Sequence, residues 1–173
     1  VTGNRSDSDG NGSGVGGGVF HEAATVAINN SIIASNFRGT GAAASDLAGV
    51  STLSNSTNRF NLIGDANSAN GLTDGSNGNL VGVSGVGVRP IATILNTTLA
   101  ANGGPTLTHA LIVGSAAINS GSNSLLPLDT FDDNDNASTT EAIPFDQRGT
   151  GFNRIFNGTV DRGAFESPIV VET

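Results

Sequence analysis

A chain of 173 residues with 36% apolar side chains is long enough to bury a core and too apolar for a disordered linker. Its net charge of −8 and pI near 4.3 exclude the basic footprint that nucleic acids and anionic lipid surfaces select. Cys is absent, so there is no disulfide framework. All seven basic residues are Arg, so lysine chemistry is excluded as well.

In chain order, Asp7, Asp9 and Asn11 come first, with oxygens at alternating positions around Gly10 and Gly12, as a calcium loop begins. Gly18 stands where such a loop needs its bidentate Glu, so an Asp/Gly turn is the competing reading. Gly12 to Gly17 formally satisfies GxGxxG. A polar turn precedes it and a strand follows, which is wrong for a dinucleotide site. Strand periodicity is clearest from Ala24 to Ile33, with Val26, Ile28 and Ile32 on one face and Thr25, Ala27 and Asn29 on the other. Leu47–Ile63, Leu80–Ile94 and Leu107–Ile118 repeat the pattern between Gly/Asn/Ser-rich turns. Asn30 and Asn36 are candidates for an amide ladder between stacked strands, or are ordinary turn residues. Ile91–Ala101 reads as one short helix or turn. Composition and periodicity leave a β-sandwich and a β-solenoid both open.

His21 and His109 are the only histidines. A triad of His109 with Ser115 and Asp146 lacks a nucleophile elbow, and His109 is expected to bond backbone. The segment Asp129–Asn136 packs Asp129, Asp132, Asp133, Asn134, Asp135 and Asn136 together, and Glu141 follows. Crowded hard oxygen ligands without His or Cys point to Ca²⁺ as a cofactor, against a solvated acidic loop. Near the end, Asp146, Arg148, Asp161, Arg162 and Glu166 alternate in sign around glycines. As an enzyme site they would give a carboxylate pair, Asp146 and Asp161, with Arg148 as stabiliser. As structure, the Arg forks pair with carboxylates to cap an open end, and this is the favoured reading. Phe145, Phe152, Phe156 and Phe165, half of the eight Phe, suit such a lid. N-x-S/T acceptors stand at Asn4, Asn11, Asn29, Asn55, Asn96, Asn136 and Asn157.

The run from Asn102 to Glu166, NGGPTLTHALIVGSAAINSG followed by DQRGTGFNRIFNGTVDRGAFE, resembles the closing segment of bacterial right-handed parallel β-helix surface proteins of the choice-of-anchor Q type. VGGGVFHEAATVAINNSIIASN, RFNLIGD and NLVGV are similar to earlier parts of the same family. The resemblance implies an all-β right-handed parallel β-helix (solenoid) with an irregular C-terminal capping segment. Residues 1–124 would form its coils, and 125–173 the acidic insert and cap, with His109, Asp146, Arg148, Asp161, Arg162 and Glu166 at the cap or an interface. It also implies a secreted or cell-surface structural or adhesive protein and not an enzyme. The alternative is a polysaccharide lyase or glycoside hydrolase on the same scaffold. Met is absent even at position 1, which reads as a processed fragment. The expected partners are then a second copy of the chain, joined head to tail into an oligomer or filament, or the remainder of a larger surface protein. Nucleic acid and membrane insertion are not expected, since no apolar run approaches spanning length.

Overall fold

The computed structural model describes residues 1–22 and 25–169. Most of the chain is turn and irregular backbone, and among the described residues twelve non-glycine positions have positive φ. Asn and Asp supply eight of them, because their short polar side chains tolerate the left-handed region. The chain divides into two compact units, Val1–Ile91 and Ala92–Thr173.

The first unit carries eight short strands: β1 (Arg5–Ser6), β2 (Val19–His21), β3 (Ile32–Ile33), β4 (Phe37–Arg38), β5 (Ala43–Ala44), β6 (Leu47–Gly49), β7 (Leu62–Ile63) and β8 (Leu80–Val81). They form three sheets, ordered β1-β4-β5, β2-β6 and β3-β7-β8. Every pair is parallel except β4 with β5. In the last sheet Ile32, Leu62 and Leu80 are in register, as are Ile33, Ile63 and Val81. Ile33, Ile63 and Val81 stack into a core completed by Leu47, Leu53, Ala69 and Leu72, with Val26 and Ile28 packed against it. The inward set read from the sequence is therefore correct for Val26 and Ile28; at β3 it is Ile33 that joins this core, and Ile32 is buried on the other face, while Ala24 lies outside the described residues.

The right-handed parallel β-helix expected from the sequence is not formed. The strands are two or three residues long, they lie in three small separate sheets of two or three strands, and the remainder is coil. Left-handed residues at Asn30 and Ser35 bracket β3, Gly39 ends β4, and Phe60 stands two residues before β7. The segments read as further strands fare worse. Leu80–Ile94 holds only β8, and Leu107–Ile118 contributes only single antiparallel bridges, Leu111 to Leu95 and Thr108 to Ala100. Ile91–Ala101 contains one 3₁₀ turn, Ile91–Thr93.

Polar stacking supports the first unit as much as its apolar core does. Asn61 is fully buried; its Oδ1 accepts from Ser31 N, and its Nδ2 donates to Ile28 O and to Asn79 Oδ1. Asn79, also fully buried, accepts from Asn61 N and donates to Asn58 O and Asn55 Oδ1. Asn36 does the same one corner away, accepting from Asn4 and donating to Asp46 Oδ1 and Val1 O. An amide has two donors and two acceptor sites, so one side chain bonds the chain on both sides of it. Of the two ladder candidates Asn36 takes this role, whereas Asn30 is a buried residue in a left-handed turn, its N–H donating to Arg59 O.

The second unit is irregular. Antiparallel single bridges join Leu95 to Leu111, Ala100 to Thr108, Leu128 to Ala142, Phe145 to Asn153 and Phe156 to Thr159. Ile94, Leu95, Leu111, Ala117, Ile118, Val160 and Phe165 are its buried apolar residues. Of the four Phe of the expected lid, Phe165 is buried, Phe145 and Phe152 are partly buried, and Phe156 is exposed.

Candidate functional site, a buried carboxylate and arginine cluster

Three carboxylates and three guanidinium groups gather inside the second unit: Asp146, Asp161 and Glu166 with Arg148, Arg154 and Arg162, each at most 9% exposed. Burying one ion unpaired is prohibitive, so the arrangement of partners decides what this cluster is.

Asp146 and Arg148 pair across one intervening residue. Arg148 Nη2 donates to Asp146 Oδ2 at 2.7 Å and Nε donates to both carboxylate oxygens, at 3.0 and 3.2 Å. Asp146 also accepts from Arg148 N and Glu166 N, and Arg148 Nη2 reaches the Glu166 carbonyl at 2.6 Å. The guanidinium plane lies between two rings, 4.1 Å from the Phe152 centroid and 3.9 Å from that of Phe165. Desolvated cation–π contacts of this kind contribute about 2 kcal/mol each. The glycines upstream make room: a Cβ on Gly103 would stand 2.5 Å from Phe152 Cζ, and one on Gly104 would stand 2.6 Å from Arg148 Cα. The sequence Asn102-Gly103-Gly104 is thus the floor against which Arg148 and Phe152 rest.

Arg154 and Glu166 form the second pair, Nη1 to Oε2 at 2.9 Å. Arg154 Nη2 donates to Gly163 O at 2.7 Å and more weakly to Asp161 O at 3.4 Å. Glu166 accepts from Asp161 N and Phe156 N as well. Burial pushes the Glu166 carboxyl up to about 7, with the neighbouring Asp161 charge adding to the rise and the N–H donors and Arg154 opposing it. Burial likewise raises Asp161, against N–H bonds from Asn119 and Ser167 at 2.6 Å each. Burial lowers Arg154, which the carboxylates around it counter. Arg162 donates from Nε to Ser120 O.

Of the residues singled out from the sequence, Asp146, Arg148, Asp161, Arg162 and Glu166 do come together, and Asp161 and Asp146 each hold their own set of N–H groups. His109 does not join them; its Nδ1 is 2.7 Å from Asn96 O, a backbone contact as expected. Ser115 Oγ accepts from Ala117 N and closes a turn. Arg154 was missed, although it stands between the two halves of the charged motif with the same sign alternation. Asp46 was missed too: a buried carboxylate in the first unit that accepts from Asn36 N, Asn36 Nδ2 and Asp65 N, its pKa raised by burial.

The acidic segment is folded on itself. Asp129 is buried and accepts from Asp133 N with both oxygens at 3.0 Å. Asp132 accepts from Asn136 N and Ala137 N, while Asn134 and Asn136 donate to Glu141. Hydrogen bonds from Ser138 and from these two amides hold Glu141 below the ordinary carboxylate range. Asp133 and Asp135 are exposed. At the other end Asp7 accepts from Gly12 N, and Asp9 from Asn11 N and Nδ2. Among the described residues no three His, Asp or Glu side chains converge on a point that could hold a metal ion. Among the sequons, Asn29 and Asn55 use their amides in packing, and Asn4, Asn11, Asn96, Asn136 and Asn157 are exposed. No helix among the described residues is long and apolar enough to cross a membrane.

Comparisons of the chain with protein-family models, with curated proteins and with solved structures find no match.

Proposed function

We propose that the chain is a structural or adhesive module of a secreted or cell-surface protein, working by presenting a rigid acidic surface and by joining to a second copy of itself. The observation that carries this reading is how the buried charges are used. Asp146, Asp161 and Glu166 have their oxygens filled by backbone N–H groups and by Arg148 and Arg154, so the chemistry-bearing residues of the chain hold it together. Catalytic carboxylates, by contrast, need open lone pairs in a cleft.

The strand edges of the first unit support self-association. One edge is closed: Val81 N donates to Asp74 Oδ1, and Val81 O accepts from Gly85 N. In the separate two-stranded sheet β2-β6, the alternation of parallel bonds turns the Phe20 backbone groups away from β6, beside a side chain that is 46% exposed. An outward N–H and C=O on one residue next to an exposed aromatic offers another strand a first point of pairing.

Static light scattering over a wide concentration range tests the reading, with wild type beside Phe20→Lys. The expected result is association in wild type that the substitution weakens. A monomer at all concentrations refutes the self-joining part. Release of oligosaccharides from acidic glycans would replace the structural reading with that of a glycan-degrading enzyme.

A further inference from the structure

The chain contains five Asn–Gly pairs, at Asn11, Asn70, Asn77, Asn102 and Asn157. Such pairs are chemically unstable, because glycine leaves its amide nitrogen unhindered next to the Asn carboxamide. As sequence the five are equivalent, and the structure separates them.

Four are restrained. Asn102 Nδ2 is held by Ala100 O, Thr108 O and Thr108 Oγ1. Asn70 Nδ2 is held by His21 Nε2 and Ser51 O. At Asn11 both partners are tied, the carboxamide to Asp9 and Ser13 and the Gly12 N–H to Asp7. Asn77 lies inside the 3₁₀ turn Ser76–Gly78, its carbonyl bonded by Phe60 N, with Gly78 against the Phe60 ring.

Asn157 differs. It and Gly158 form an exposed two-residue turn at φ 53° and 84°, closed by the single bridge Phe156 to Thr159. Among the described residues neither the Asn157 carboxamide nor the Gly158 N–H has a hydrogen-bond partner. The space where a Gly158 Cβ would stand is open. The left-handed turn does not itself aim Gly158 N at Cγ. Reaching the reactive geometry requires a swing of the Asn157 backbone, resisted by that bridge and by Asn123, whose Nδ2 donates to the Gly158 carbonyl at 2.9 Å, while the two reacting groups themselves stay unbonded.

We propose that Asn157–Gly158 is a self-modification site through which the chain ages into a looser form. The Gly158 nitrogen, its proton removed by hydroxide, attacks Asn157 Cγ. The new C–N bond forms as the Cγ–Nδ2 bond breaks, and Nδ2 leaves as ammonia after taking a proton from water. Water then opens the succinimide ring. Attack at Cγ gives aspartate; attack at the main-chain carbonyl gives isoaspartate, with the backbone running through Cβ and Cγ. No oxidant or second protein is needed. Both products place a carboxylate two residues before Thr159, and isoaspartate also lengthens the turn. The turn positions Phe156 N on Glu166 Oε1 and Val160 N on Asn123 Oδ1, so lengthening it disturbs the buried cluster. A glycan on Asn157, the acceptor of the Asn157-Gly158-Thr159 sequon, would block the reaction at the same nitrogen.

The test uses the intact chain held at 37 °C and mildly alkaline pH, then cut after arginine. The site falls in the short peptide Ile155–Arg162. Fragment masses locate each amide-to-acid conversion, and isoaspartyl methylation identifies the rearranged product. Conversion at Asn157 is expected to be about tenfold faster than at Asn11, Asn70 or Asn102, the factor that one retained hydrogen bond of about 1.4 kcal/mol imposes. In denaturant all five rates should converge. Equal rates in the folded chain, or an Asn157 slower than the restrained sites, overturns the proposal.

Discussion

Replacing Arg154 by Met separates the two contributions that hold the second unit together, apolar packing and ion pairing. Met fills much of the same volume, but the Glu166 carboxylate loses its ion-pair partner at 2.9 Å, and Gly163 O loses a donor at 2.7 Å. Removing one member of a buried ion pair costs about 3–5 kcal/mol, because the other charge stays behind uncompensated. A unit of this size has roughly 4–12 kcal/mol in total at 0.05–0.15 kcal/mol per residue. The substitution is therefore expected to melt the second unit selectively or nearly so. The cost also has a pH signature. The folded-state pKa of Glu166 is already raised from 4.5 to about 7. A raised carboxyl contributes stability that is complete below its unfolded value and is lost as pH rises through the folded one. In wild type, melting of the second unit should thus shift downward between about pH 5 and about pH 8, by at most about 3 kcal/mol from a shift of this size. Without Arg154 the carboxyl rises further, so the defect should be largest near pH 8 and shrink on acidification. Adding Glu166→Gln should restore part of the loss at alkaline pH. Thermal unfolding with hydrogen exchange at the amides of Phe156, Asp161 and Arg162 reads all of this. A loss below about 1 kcal/mol, or one that does not change with pH, would show that the pair is a bystander.

Asn79→Leu leaves the Asn61 N–H and the Asn58 carbonyl buried without partners, so the first unit should lose about 2–4 kcal/mol in denaturant titration. Gly104→Ala drives a methyl into the Arg148 backbone and should cost the second unit about 1–3 kcal/mol, with the first unit's transition unchanged. Asp74→Ala uncaps Val81 N and opens the closed strand edge; a stability loss of about 1 kcal/mol with new dimers in light scattering is expected, and a strictly monomeric variant refutes the capping role. Calcium binding by the acidic segment would draw on the Asp132 oxygens, each of which already accepts one N–H, from Asn136 and from Ala137. If it occurs at a Kd a hundredfold below the calcium used, melting should rise by about 2.7 kcal/mol over EDTA, and identical curves refute it.

The sequence by itself determined an acidic chain with a folded core, the inward placement of Val26 and Ile28, the backbone contact of His109 and the gathering of the terminal Asp, Arg and Glu residues. These depend on local alternation, on hydrogen-bonding inventory, or on charges that cannot be buried unless they meet. Tertiary structure decided the remainder. Whether alternating segments extend into long stacked strands depends in part on how many residues survive between left-handed positions, and Asn30, Ser35 and Gly39 leave four residues around β3 and three around β4. Periodicity carries no mark of a positive φ at Ser or Phe, and the β-helix expectation failed there. Arg154 and Asp46 became visible only once folding had buried them, because a charge's role is set by the partners that distant segments bring within hydrogen-bond reach. The same holds for the five Asn–Gly pairs, alike in sequence and set apart by which amides the fold holds still.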